Sequence, residues 1–148
     1  MKAVYIKQFG GLDALNYGDL PDPSPGAGQI VVDTHAASVN GADWKVRAGE
    51  YPGAPQFPIV LGRDFSGVVS AVGAGVDDLR VGDEVFGVLE AGRDGTYCEK
   101  IAIGAAIVAK KPAGLSHVEA AAMALIGLTA LRSVEDTLKL KAGETILI

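Results

Sequence analysis

Few side chains in this 148-residue chain could do chemistry, and most of them fall in two short stretches. The first is "SVNGADWK", which brings Asn40, Asp43, Trp44 and Lys45 together. An asparagine carboxamide both donates and accepts hydrogen bonds, and asparagine is also a good helix N-cap. A lysine ammonium is a triple donor that can hold an oxygen, or it can be a solvated charge on a short helix. Asp43 reads as a cap or a salt-bridge partner. The second stretch is "LGRDFSG", where Arg63 and Asp64 read as an internal ion pair holding a tight strand. Neither Asn nor Arg is a usual zinc ligand. The single Cys98 excludes an internal disulfide and a Cys-rich zinc site, and reads as a buried strand thiol. His35 and His117 lie far apart with no matched carboxylate motif, and read as packing residues. "VGAGVDD" contains G-x-G but lacks the third glycine and a following amphipathic helix, so it reads as a turn between strands.

The elements that must position these groups are mostly strands. "KAVYIKQF" alternates apolar and polar residues, "QIVVDTHAASVN" is a long strand signal, and "IVLGRDFSGVVSAVG" is a strand interrupted by glycines, which predicts a bend or bulge. "LRVGDEVFGV", "GTYCEKIAI" and "AAIVAKKP" add further strands, while "GADWKVRAGEYPGAPQFP" predicts a short helix and an irregular loop. At Ser116 the character changes. Ser116 and Glu119 form an S-x-x-E capping box ahead of a helical run, with Gly127 expected to kink or divide it. The ending "KAGETILI" predicts a turn and then a buried strand from Thr145 to Ile148.

Composition fits a globular chain, with 49% hydrophobic and 21% charged residues. A formal net charge of −5 with no basic patch argues against nucleic acid as a partner. The longest apolar run, "AAAMALIGLTAL", is shorter than the roughly 20 residues a bilayer requires, so no membrane partner is expected. No signal-like leader appears, and a cytoplasmic location is expected.

"SVNGADWKVRAGEYP", "PIVLGRDFSGVVSAVG", "RVGDEVFGV", "GTYCEK", "LSHVEAAAMALIGLTAL" and "KAGETILI" occur in this order and at family-like spacing. Together they resemble the medium-chain dehydrogenase/reductase superfamily, and within it the zinc-independent quinone and enone reductases of zeta-crystallin type. The resemblance implies a mainly β fold with short helices: a GroES-like β-barrel over residues 1–115. Residues 116–148 would be a helical connection and the first strand of an α/β Rossmann domain that lies outside this sequence. The chain then reads as a fragment that would bind dinucleotide poorly and turn over nothing alone.

The same resemblance implies NADPH as cofactor, a quinone or an activated C=C bond as substrate, and a homodimer. It places Asn40, Lys45 and Thr129 against the cofactor, with Asn40 and Lys45 catalytic, and Asp43, Trp44 and Tyr51 in the substrate pocket. Zinc-dependent relatives carry Cys where this chain has Asn40 and a His–Glu pair where it has Arg63–Asp64, so no zinc is expected. Two alternatives stand beside this reading: a free-standing GroES-like binding or structural module, and a zinc-type alcohol dehydrogenase.

Overall fold

The run after Gly28 is rich in valine and isoleucine and becomes the spine of the larger sheet. In the computed structural model, which describes residues 1–51, 56–90 and 95–147, β3 (Gln29–Ala37) is flanked by β5 (Asp64–Val72) and β7 (Lys100–Gly104). With β6 (Glu84–Val88) and β8 (Val108–Lys110) they form a five-stranded sheet of order β7-β3-β5-β6-β8. A second sheet of order β2-β1-β4 joins β1 (Lys2–Ile6), β2 (Leu15–Asp19) and β4 (Ile59–Val60). All pairings are antiparallel.

Alternate residues of the large sheet meet in one core: Ile30, Val32, Phe65, Val69, Val85, Ile101 and Ile103, with Leu79 and Leu89. A smaller core of Ile6, Ala14, Ile59 and Leu61 lies under the second sheet. The mainly β architecture matches the sequence expectation.

Two backbone devices shape the site. β3 shifts register against β5 between Thr34 and Ala36, so His35 is the unpaired residue of a bulge. The expected interruption of the glycine-bearing strand falls at Gly62, which separates β4 from β5 at φ +98°. A Cβ there would press on Thr96 Oγ1 and would lie 2.6 Å from Tyr97 Cδ1. Gly62 thus turns the chain just before Arg63 and Asp64. The loop expected after the short helix includes residues 52–55, outside the described residues.

Three sequence expectations are corrected. The helix α2 (His117–Arg132) runs unbroken through Gly127, whose position meets no neighbour within 4 Å. A glycine inside an exposed helix costs only about 1 kcal/mol, which the rest of the helix absorbs. The irregularity comes later, in a wider turn over Ser133–Thr137. Residues 145–147 form no strand, and Leu147 is 97% exposed. A strand needs a neighbour to take its backbone hydrogen bonds, and none of the described residues supplies one; Ile148 lies outside them.

The third correction concerns helix length. His117–Thr137 spans 21 residues and contains an 18-residue stretch of mean hydropathy 1.2, long and apolar enough by length and composition to cross a membrane. It starts with the expected capping box, in which Glu119 N–H donates to Ser116 Oγ at 3.2 Å and Ser116 N–H to Glu119 Oε2 at 2.8 Å. Ala120, Ala121 and Ala124 are buried where it lies against β3, β5 and β6. Met123, Ile126, Leu128 and Leu131 stand exposed.

Candidate functional site

The short helix α1 (Gly41–Ala48) carries the first polar stretch. Asn40 is its N-cap and Asp43 folds back on it: Asn40 N–H donates to Asp43 Oδ2 at 2.7 Å, while the backbone Asp43 N–H donates to the Asn40 carbonyl at 3.0 Å. The helix ends at Gly49 in the left-handed region, φ +79°.

Around Asn40 the fold assembles a network that sequence spacing does not announce. Ser38 Oγ donates to Asp64 Oδ2 at 2.5 Å. Asn40 Nδ2 donates to Ser38 Oγ at 3.2 Å and to Asp64 Oδ2 at 3.3 Å. Tyr97 Oη donates to Asp43 Oδ2 at 2.7 Å and, at 3.4 Å, to the Ser38 carbonyl. Burial, and then the Asp43 carboxyl, push the Tyr97 phenol far above the usual tyrosine range, so it stays protonated and donates throughout the physiological range.

The network defines what Asn40 can do. Its two acceptors lie only 2.5 Å apart and more than 3 Å from the amide nitrogen. Seen from that nitrogen they subtend far less than the roughly 120° between two amide hydrogens. One N–H is therefore shared between them, and the second remains available as a donor. The reversed carboxamide would set its oxygen against the Asp64 carboxyl, so electrostatics selects this orientation.

The other sequence candidates fall as follows. Asp43 is 6% exposed, and its Oδ2 already accepts from Asn40 and Tyr97. Lys45 is exposed, its ammonium 5.6 Å from the centre of the half-exposed Trp44 ring, and it has no carboxylate partner among the described residues. Tyr51, Asp43, Phe9 and Phe57 line a hollow of about 1040 Å³ between the small sheet and β7. Asn40, Trp44, Lys45 and Thr129 do not line it. Thr129 stands exposed on α2, where its carbonyl accepts from Ser133 Oγ at 2.7 Å. The structure thus joins Asn40 to Asp43 but records no hydrogen bond from Thr129 to either.

The expected Arg63–Asp64 ion pair is not formed. Arg63 donates from Nε and Nη2 to the Leu89 carbonyl at 3.1 and 2.8 Å, while Asp64, wholly buried, accepts from Ser38 and Asn40. Arg63 lies in the turn after Gly62 and Asp64 opens β5, and their side chains reach different partners. This also tests the zinc-ligand positions of zinc-dependent relatives. Here they hold an amide and a guanidinium engaged elsewhere. Among the described residues no group of three His, Cys, Asp or Glu side chains could hold a metal. Asn40 and Arg63 are not usual zinc ligands, which leaves Asp64 as the one carboxylate at these positions.

A second polar cluster lies under α2. His117 Nδ1 is 2.8 Å from Ser66 Oγ, its Nε2 is 3.4 Å from Glu84 Oε1, and its ring centre is 4.5 Å from that of His35. The order Ser–His–Glu resembles a hydrolase triad. However, Ser66 is wholly buried and donates its hydroxyl hydrogen to the Val85 carbonyl at 2.9 Å. It therefore accepts from His117 Nδ1–H, which leaves no hydroxyl hydrogen for the histidine to abstract and no nucleophile.

Burial first, and then the neighbouring His35, hold the His117 imidazole below its ordinary pKa, with Glu84 opposing them. The unfolded chain binds this proton more readily than the folded one. Stability is therefore expected to be level above the ordinary histidine value of 6.5 and to fall as pH drops through it towards the lower folded value. Urea titrations at pH 7.5 and 5.5 check this; H117Q is expected to flatten the slope, and an unchanged slope would show that another group sets it.

Comparison with known proteins places this geometry. The alcohol dehydrogenase GroES-like domain matches residues 26–127. The chain is 41% identical over 145 residues to phthioceranic/hydroxyphthioceranic acid synthase of Mycobacterium tuberculosis, covering 98% of this chain and 7% of the synthase. It is 32% identical over 149 residues to human quinone oxidoreductase, covering 100% of this chain and 45% of that protein. The crystal structure of Escherichia coli quinone oxidoreductase complexed with NADPH superimposes with a TM-score of 0.89 at 32% identity, over 97% of this chain and 43% of that one. The chain spans less than half the length of these relatives.

Proposed function

Because the chain belongs to the alcohol dehydrogenase GroES-like domain family of the medium-chain dehydrogenase/reductase superfamily, we propose that it is the catalytic-domain portion of a zinc-independent oxidoreductase. That enzyme uses NADPH to reduce quinones or activated C=C bonds. The observation that carries this reading is a pair of donors on one short element that are uncommitted among the described residues: the spare amide hydrogen of Asn40 and the ammonium of Lys45. The complex of the Escherichia coli relative with NADPH supports the choice of cofactor.

When bound, the reduced nicotinamide supplies a hydride to the conjugated substrate. Negative charge would then build on the substrate's carbonyl oxygen, where the Asn40 N–H, already oriented, would stabilise it until a proton from water completes the reduction. Lys45 would hold a ribose oxygen of the cofactor by a charge-assisted hydrogen bond. Thr129 contributes a hydroxyl from α2 on the cofactor side, and Tyr51 and Trp44 give apolar surface for a flat substrate. The remaining length of the relatives supports a following Rossmann domain, for which residues 116–148 are the connection. Its packing against the exposed apolar residues of α2 would also account for that face. A cytoplasmic homodimer completes the reading.

The test is to read the reading frame past Ile148, express the whole product and follow NADPH oxidation with a quinone and an enone. Turnover is expected to survive a chelator. Lys45→Ala is expected to raise the KM for NADPH by about ten- to a hundredfold with kcat largely kept, the usual effect of losing one hydrogen bond to a charged group. Stoichiometric zinc with alcohol oxidation would overturn the reading in favour of a zinc-type alcohol dehydrogenase.

A further inference from the structure

Asp64 is wholly buried, yet the proposed chemistry does not use it. Its neighbour Arg63 is turned to the Leu89 carbonyl. Both donors to Asp64, Ser38 Oγ and Asn40 Nδ2, meet the same oxygen, Oδ2. The other, Oδ1, is buried and has no hydrogen-bond partner. A buried carboxyl with one bare oxygen stabilises a fold poorly, because burying an unpaired polar atom is unfavourable. Packing alone would be better served by an apolar residue. What Asp64 does achieve is selective: it accepts one hydrogen of the Asn40 carboxamide directly and grips the same group again through Ser38.

We propose that Asp64, acting with Ser38, is the positioning residue that fixes the orientation of the Asn40 carboxamide and so keeps its second N–H directed at substrate. This rests on the reading of Asn40 as the donor to the substrate oxygen. Without Asp64 the carboxamide can reverse and present its oxygen instead, which would repel a developing negative charge.

A double-mutant cycle on the whole enzyme, with NADPH and a quinone, tests it. Asn40→Ala is expected to lower kcat by about ten- to a hundredfold, as loss of one oxyanion donor does. Asp64→Ala is expected to lower kcat by a comparable factor with the quinone KM nearly unchanged. In the Asn40→Ala background the same substitution is expected to change kcat by less than about twofold, because both then act on one missing contact. An equal effect of Asp64→Ala in both backgrounds, or an unchanged kcat, overturns the proposal even if the melting temperature falls.

Should Asp64→Ala not fold, Ser38→Ala and Asp64→Asn serve in its place. Each is expected to lower kcat by about three- to tenfold, and to be silent once Asn40 is gone. An unchanged kcat in Asn40→Ala removes the donor reading itself, and this inference with it. The two failures are therefore separable.

Discussion

Replacing Asp43 with alanine is expected to destabilise this chain by roughly 3 kcal/mol. Two losses add. The capping box at the start of α1 disappears, which costs about 1 kcal/mol at a typical N-terminus. The Tyr97 hydroxyl then loses its 2.7 Å acceptor in a partly buried position, where an unsatisfied donor costs about 1–3 kcal/mol. Asp43→Asn is expected to be milder, because the carboxamide oxygen can still accept from Tyr97. Urea unfolding of the three proteins, with the slope held constant, measures the difference. A loss below about 1 kcal/mol for Asp43→Ala would mean that the Ser38 carbonyl, already 3.4 Å from Tyr97 Oη, takes over as its acceptor. The sequence offered Asp43 as a pocket residue or a cap. The structure gives it a place on the wall of the hollow and uses Oδ2 internally.

Gly62→Ala is expected to cost a similar roughly 3 kcal/mol, for a different reason. At φ +98° an L side chain is strained, by about 1–2 kcal/mol. The added Cβ must also displace Thr96 and the Tyr97 ring, an overpacking of about 1–3 kcal/mol. Gly75→Ala provides the control, because Gly75 has φ +78° but open space around it. It is expected to show only the strain, about 1 kcal/mol. Equal losses at both positions in parallel urea titrations would show that strain alone matters and that the Thr96–Tyr97 wall yields. Because Gly62 directly precedes Arg63 and Asp64, the same substitution is expected to disturb the Asn40 network.

The sequence by itself determined most of the scaffold. The consecutive aliphatic and aromatic residues in "KAVYI" and the valine-rich run from Gln29 favour strands whatever their partners, because strand propensity is a local property. The Ser116–Glu119 box likewise specifies a helix start, since both groups lie within one turn. Asn40 as a cap and Lys45 as an uncommitted charge were legible for the same reason.

What only the tertiary structure decided is which polar groups meet. Ser38 is two residues from Asn40 and could have been guessed as a neighbour. Tyr97 lies 54 residues from Asp43, and no local pattern joins them. Asp64 looked bound to Arg63 because they are adjacent in sequence, yet the turn at Gly62 and the start of β5 send them to different partners, Asn40 and Leu89. His35 and His117 looked unrelated, but a bulge in β3 and the docking of α2 bring their rings to 4.5 Å. The reverse error occurred at Thr145–Leu147, where strand-forming residues form no strand. Propensity is written in the residues themselves, but hydrogen-bond partners across a sheet are set by register and twist, which depend on the whole fold.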